Sequence, residues 1–349
     1  MGGRSKASLA VAGTLTLAGL AALPVGGAGA ATCTSAKNVE LINDDSGSMA
    51  STDPNKNRLE ATKLLLSKAA NRGGTTYGAV EFAQEAAPIF APTRVTGQNL
   101  TSLSNALTAR TQDDGSGAPL AEDPSSKDTG GGTDYNAAFT VANQSNGGAD
   151  ARVFLTDGGH NEGTYNDVHK NPVKKTYVVG FGGVTGGSPD AQRLQTIAND
   201  TGGQYFPLTD SSQLTGVVNA IDDKLSCAAA TKGFFDSFSR KGQTKLHSLK
   251  TSKSTRSLEF TILWQGALNA FDISSLTVQK GKQVVAIGSR KRRKRSHLKL
   301  TRKRGSTFLT VRVRGKGLRR GHRVRFRLKA KALAAPTFVG TSVAQSTRR

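Results

Sequence analysis

From residue 39 to residue 225, short apolar runs alternate with stretches of helical periodicity, and few folds accommodate that order. Strand-like runs fall at 39–43, 77–82, 87–92, 152–156, 175–181 and 204–206. Helical periodicity covers 57–71, 100–109, 134–142, 191–199 and 212–225. Neighbouring parallel strands need a crossover of about a dozen residues or more, and a helix supplies it. The alternation therefore predicts an α/β fold with a doubly wound, mostly parallel sheet. The proline-broken run at 87–92 suits an edge. With 36% hydrophobic residues the chain has material for a packed core. Its 349 residues suit about two domains.

Charge divides the chain where the alternation stops. Residues 31–227 carry 15 Lys/Arg and 22 Asp/Glu, a net of −7. Residues 228–349 carry 31 Lys/Arg and 3 Asp/Glu, a net of +28. Such a shift marks two physically different units. Before both, Arg4 and Lys6 precede an apolar stretch at 7–23 and then Ala28-Gly29-Ala30, the pattern of a cleaved signal peptide. No later segment approaches the roughly 18 apolar residues that span a bilayer. The expected organisation is a signal peptide at 1–30, an α/β domain at 31–227 and a basic all-β domain at 228–349 with a disordered C-terminal tail. The mature chain is expected to be secreted, without a transmembrane segment, and either released or retained at the cell surface.

In a doubly wound sheet, ligands sit beyond the carboxyl ends of the strands. Asp44, Ser46 and Ser48 follow the first strand, Asp157 follows the strand at 152–156, and Thr133 opens a helix on a loop reaching the same rim. Three distant segments thus bring hard oxygen donors, without sulfur or imidazole. That set suits Mg²⁺, and Mn²⁺ or Ca²⁺ are also compatible.

The run Asp44-x-Ser46-x-Ser48, then Thr133 in Gly131-Gly132-Thr133-Asp134, then Asp157 in Leu155-Thr156-Asp157-Gly158, resembles the metal-ion-dependent adhesion site of von Willebrand factor A domains. The resemblance covers residues 37–225. It implies that Ser46 and Ser48 ligate a metal directly, that Asp44 and Asp157 supply charge, one or both through water, and that Thr133 ligates in the ligand-binding form. It further implies that a partner's carboxylate completes the shell, which is adhesion chemistry rather than catalysis. Two departures stand out. Asn43 occupies the normally apolar end of the first strand, and the loop at 111–133 is long and acidic. A solvated loop is the simpler reading there, a second cation the alternative. Cys33 and Cys227 bracket the domain, and some members of the family carry such a terminal clasp. A disulfide between them is favoured over free thiols.

The basic half changes to period-two alternation, with strands expected at 257–264, 276–279, 284–287, 298–301, 307–313 and 323–331, and suggests a small antiparallel β-sandwich. Val311 and Val313 alternate with Arg312 and Arg314, and Phe326 and Leu328 with Arg325 and Arg327, so one continuous cationic face is expected. The run Arg290, Lys291, Arg292, Arg293, Lys294, Arg295 lies in an expected loop before them. Such a field attracts polyanions, and an anionic surface polymer is the expected partner. Nucleic acid is not specifically indicated, because Phe308 and Phe326 read as core rather than as stacking platforms. Docking on the acidic neighbouring half is the other use for this charge.

No His-Glu-x-x-His, phosphate-loop or Gly-x-Ser-x-Gly motif occurs. His160 reads as a polar surface residue and Trp264 as a core anchor. The leading expectation is a metal-dependent binding protein that captures a protein ligand bearing an exposed carboxylate and attaches to a polyanion. The alternatives are a polyanion-binding structural protein with the α/β domain as scaffold, and an unrecognised hydrolase.

Overall fold

The computed structural model describes residues 34–110, 131–182, 184, 187–209, 213–227, 229–252, 254–264, 266–280, 283–287, 299–315, 318 and 323–346. The expected signal peptide, the acidic loop up to residue 130, Cys33 and the run Arg290 to Arg295 lie outside the described residues.

The first half contains β1 (Asn38–Asp44), α1 (Met49–Thr52), α2 (Asn57–Arg72), β2 (Thr76–Phe82), β3 (Ala86–Arg94) and α3 (Leu100–Arg110). It continues with α4 (Tyr135–Ser145), β4 (Ala151–Thr156), β5 (Lys175–Gly180), α5 (Pro189–Asp200), β6 (Gln204–Pro207) and α6 (Leu214–Leu225). The six strands form one sheet in the order β3-β2-β1-β4-β5-β6. All neighbours pair in parallel except β3, an antiparallel edge. Helices cover both faces, so β1, β2 and β5 are buried after their first residue and β4 is buried at every position. Leu41 and Val153 meet Leu65, Leu66 and Ile221 of α2 and α6 on one face. Ile42 and Phe154 meet Phe139 and Leu194 of α4 and α5 on the other. Gly203, which leads into β6, passes so close to β5 that a Cβ there would overlap the Thr176 carbonyl.

The second half is all-β: β7 (Ala229–Phe238), β8 (Thr244–Lys250), β9 (Ser257–Trp264), β10 (Ala270–Lys280), β11 (Gln283–Ile287), β12 (Lys299–Arg304), β13 (Phe308–Arg314), β14 (Arg323–Ala332) and β15 (Thr337–Ser346). A five-stranded sheet, β12-β13-β9-β15-β7, faces a four-stranded one, β11-β10-β14-β8. Phe260, Val311 and Val343 from the first sheet share a core with Phe271, Phe326 and Leu328 from the second, so the sandwich architecture holds. Trp264 is buried in it, its indole N–H donating to the Ser306 carbonyl at 3.0 Å.

Two expectations for this half need correction. The expected disordered tail is instead β15, hydrogen-bonded between β9 and β7, with Val339 and Val343 in the core. The expected continuous cationic face is interrupted at β13, which is buried at six of its seven positions, including Arg312 at 7% exposure. The reason is packing. The outer face of the five-stranded sheet lies against α2 and α6, and polar groups fill the contact. Asn71 donates to Thr310 Oγ1 at 2.7 Å, Asn219 donates to Ser342 Oγ at 3.0 Å, and the Arg314 guanidinium donates to the carbonyls of Asn71 and Arg72. At its centre Lys68, 1% exposed, lies 2.9 Å from Asp222 and 3.7 Å from Glu259 of β9. Arg72 pairs with the same two carboxylates. Among the described residues, no helix is long and apolar enough to cross a membrane.

Candidate metal centre

The sheet order reverses between β1 and β4: the chain leaves β1 toward β2 on one side and β4 toward β5 on the other. The splayed crevice at the carboxyl ends of these two strands is where such folds bind ligands. Asp44 ends β1, and Asp157 directly follows β4.

The loop between β1 and α1 is folded by its own side chains. The Ser46 N–H donates to Asp44 Oδ1 at 2.8 Å, a local turn that aspartate forms readily. The Asp45 N–H donates to the Phe82 carbonyl at 2.8 Å and fixes the loop on β2. Ser48 occupies the N-cap of α1 but caps nothing. Its hydroxyl donates instead to Asp157 Oδ1 at 2.8 Å and lies 3.1 Å from Ser46 Oγ. Thr52, one turn later, donates to the other Asp157 oxygen. Thr156 Oγ1 donates to Asp44 Oδ2 at 2.5 Å. Beneath them Arg58 pairs with Asp45 and, at 3.3 Å, with Asp53, which locks α2 to the loop.

Thr133 arrives from the other side. The Gly47 N–H donates to the Gly131 carbonyl at 3.2 Å, joining the two loops. The Thr133 N–H donates to Asn161 Oδ1 at 2.7 Å, and the Asn161 N–H returns to the Thr133 carbonyl at 3.0 Å. A Cβ on Gly158 would lie 3.5 Å from Thr133 Oγ1 and 3.6 Å from Ser48 Oγ, so both hydroxyls border the space above that glycine. The fold thus brings Asp44, Ser46, Ser48, Asp157 and Thr133 to one rim.

All but Ser48 of these five residues are buried. Burial first, and then the neighbouring Asp157, pushes the Asp44 carboxyl up to about 7 against the opposing hydrogen bonds from Ser46 and Thr156. Burial likewise raises Asp157. The Ser48 and Thr52 hydroxyls bond Asp157 and the Thr156 hydroxyl bonds Asp44, and like charges in a desolvated crevice oppose each other's ionisation. A hard divalent cation relieves that opposition, and the oxygen-only donor set suits one. Among the described residues no three His, Cys, Asp or Glu side chains are grouped so that they could hold a metal ion. The fit therefore depends on the serine and threonine hydroxyls.

Asn43, the sequence departure, is buried and accepts from Thr62 Oγ1 at 3.2 Å, which satisfies it. His160 is not a surface residue as expected. It is buried, and its Nδ1 accepts from the Tyr135 N–H at 3.1 Å, which holds the start of α4. Sequence reasoning missed Thr52, Thr156 and Asn161. The spacing of Thr52 four residues after Ser48 carried a signal, but α1 is too short to show periodicity. Of the cationic residues named from sequence, Arg325 and Arg327 are exposed, whereas Arg312 and Arg314 belong to the contact with α2.

No curated protein matches the chain. Among solved structures, a von Willebrand factor type A protein from Catenulispora acidiphila is 13% identical, over 87% of this chain and 65% of that one, at a TM-score of 0.42. Proximal thread matrix protein 1 from the mussel byssus, in a form with a zinc-occupied MIDAS motif, is 15% identical over 58% of this chain and 50% of that one, at 0.40. The pilus adhesin SpaC from Lactobacillus rhamnosus GG is 14% identical over 85% of this chain and 40% of that one, at 0.39. This chain therefore spans less than two thirds of each of their lengths, and the assignment rests on the family match. The von Willebrand factor type A domain matches residues 38–220, more than half of the sequence, and the chain belongs to that family.

Proposed function

We propose that this is an exported, metal-dependent binding protein whose α/β half captures a carboxylate-bearing protein ligand and whose basic half attaches it to a polyanion. Domains of the family commonly mediate protein–protein contacts. The observation that carries the reading is the convergence of two opposed carboxylates, Asp44 and Asp157, with the Ser46 and Ser48 hydroxyls at one sheet edge. In this reading Ser46, Ser48 and Thr133 hold Mg²⁺ through their hydroxyls, and Asp44 and Asp157 balance its charge. Mn²⁺ or Ca²⁺ are the other cations that oxygen set accepts. Bound there, the ion supplies an electrophilic position for an acidic side chain of the partner. Thr52 and Thr156 orient the two carboxylates, and the Asn161 bracket holds Thr133 at the rim. The oxygen-only donor set at the rim and the adhesion chemistry the family resemblance implies make binding rather than turnover the proposed activity.

A Cys33–Cys227 disulfide belongs to the same proposal. The Ala36 N–H donates to the Leu225 carbonyl at 2.8 Å, which brings the start of the described chain against the end of α6. Cleavage after residue 30 and secretion complete it.

The test is calorimetric titration of Mg²⁺ and Mn²⁺ into protein beginning at Ala31, with Asp157→Ala beside it. Saturable binding in the parent and none in the variant supports the reading. The absence of both binding heat and a Mg²⁺-dependent rise in melting temperature in the parent refutes it, because a ligand at a hundredfold its Kd stabilises by about 2.7 kcal/mol.

A further inference from the structure

The basic half holds only three acidic residues, Asp236, Glu259 and Asp272. Each is already engaged: Asp236 with His247 at 2.7 Å, Glu259 with Lys68 and Arg72, and Asp272 with Arg302 at 3.1 Å. The outer face of the five-stranded sheet lies against α2 and α6. Among the described residues nothing covers the outer face of the four-stranded sheet at β14, and there β14 alternates cleanly. Val324, Phe326 and Leu328 are buried, and Arg323, Arg325 and Arg327 are exposed. Register places Lys250 of β8 beside Arg323 and puts Ser248 of β8 and Thr277 of β10 on either side of Arg325. Among the described residues, none of these three arginines has a carboxylate partner.

A row of like charges on one strand repels itself and lowers stability unless an anion lies along it. Alternate residues of a strand stand roughly 6.6 Å apart. Three guanidiniums on that pitch, the middle one flanked by Ser248 and Thr277, form a flat ladder of donors of the kind that contacts phosphate oxygens. We infer that this face binds a linear, base-free phosphodiester polymer of the polyol-phosphate type, running along β14. Six bonds separate successive phosphorus atoms across a glycerol unit, which extended gives about 7 Å from ordinary bond lengths, close to the arginine pitch. Nucleic acid fits less well, since base stacking needs aromatic rings and the described side chains of this face offer only Leu246 as a large apolar group, 60% exposed beside Arg327. A sulfated glycan fixes its anions on rigid rings rather than on a flexible backbone.

The inference rests on the attachment role in the proposed function and narrows it to one surface and one polymer. The experiment measures binding of poly(glycerol phosphate), oligothymidylate and heparin to protein beginning at Ala31, over a range of salt and with and without EDTA. A variant R323S/R325S/R327S is compared with K232S/R240S/K241S, which loses the same charge elsewhere in the same half. Expected is EDTA-insensitive, salt-sensitive binding to the glycerol-phosphate polymer. It should be weakened roughly tenfold or more, with a shallower salt dependence, in the β14 variant only. Matching melting temperatures for parent and variants establish that the face, not the fold, was changed. Absence of polymer binding by the parent overturns the attachment role itself. Equal losses in both variants overturn the site, and tighter binding of oligothymidylate or heparin overturns the choice of polymer. Asp157→Ala should leave this binding unchanged, so failure here and failure of the metal reading are separable.

Discussion

Replacing Asp222 by alanine should loosen the joint between the two halves more than any surface change. The carboxylate is fully buried, receives two donors from Arg72, one at 2.7 Å, and lies 2.9 Å from Lys68 Nζ. Burial acts to raise its pKa, but Arg72 and Lys68 outweigh it and hold the carboxyl below its usual range. Lys68 is 1% exposed and cannot reach water when its partner is removed. Breaking a buried pair by deleting one member costs about 3–5 kcal/mol, because the remaining charge stays desolvated. The lower half of that range applies here, since Lys68 keeps Asp223 at 3.4 Å and Glu259 at 3.7 Å. At roughly 2–4 °C per kcal/mol, the melting temperature should fall by about 10 °C. Scanning calorimetry on the parent, Asp222→Ala, Lys68→Ala and the double variant measures both the loss and the coupling. Two contacting charges should show about 0.5–3 kcal/mol of non-additivity. A single-variant loss below about 1 kcal/mol, or additive losses, would refute the reasoning. Asp222 would then be a bystander to a joint held by apolar packing.

Other consequences follow from the same structure. Asp44 at about 7, Asp223 at about 6 and Glu40 at about 8 all favour the protonated form when folded. Their contribution is therefore present below the ordinary carboxylate range and lost as pH rises through those values. Denaturant titrations without metal should show stability falling between about pH 4 and 8, and Mg²⁺ should flatten the upper part of that fall. Thr52→Val removes a donor to Asp157 without touching a proposed ligand. Calorimetry should find Mg²⁺ affinity reduced roughly tenfold or more, as for other outer partners of metal ligands, and unchanged affinity would deny Thr52 its orienting role. Gly203→Ala drives a methyl into the Thr176 carbonyl of β5. Because backbone cannot swing aside, chemical unfolding should show a loss of about 1–3 kcal/mol or more.

What the sequence disclosed follows from where side chains report on their surroundings. The α/β order was legible because each central strand is buried on two faces and each helix on one, so periodicity records burial directly. The rim was legible because Asp44, Ser46, Ser48 and Asp157 sit in short runs at strand ends, where spacing translates into position. Thr52 and Asn161 were not, since one lies in a four-residue helix and the other in a loop whose course only the fold determines. β8 was missed because Leu249 is its one buried side chain and an edge strand carries little apolar signal. Arg312 misled for the opposite reason. Its alternation with Val311 and Val313 is that of a half-exposed strand, and nothing local to it shows that a helix more than two hundred residues earlier covers the polar side.

That covering helix changes what the charge imbalance means. Read as a bulk property, −7 against +28 suggests two halves held apart in function, one binding metal and the other a polymer. The structure uses part of the imbalance as adhesive: Asp222 and Asp223 of the acidic half meet Lys68 and Arg72 of that same half, while Glu259, Arg312 and Arg314 come from the basic one. A joint with charges of both signs from both sides specifies register, because sliding by one residue sets like charges against each other in a place water cannot reach. The β14 row is then not leftover charge from a uniformly basic surface. It is what remains after every acidic side chain of its half has been committed elsewhere. The proposed anion contact rests on a sheet that buries Val324, Phe326 and Leu328 on its inner face and carries Arg323, Arg325 and Arg327, with no carboxylate partner among the described residues, on its outer one.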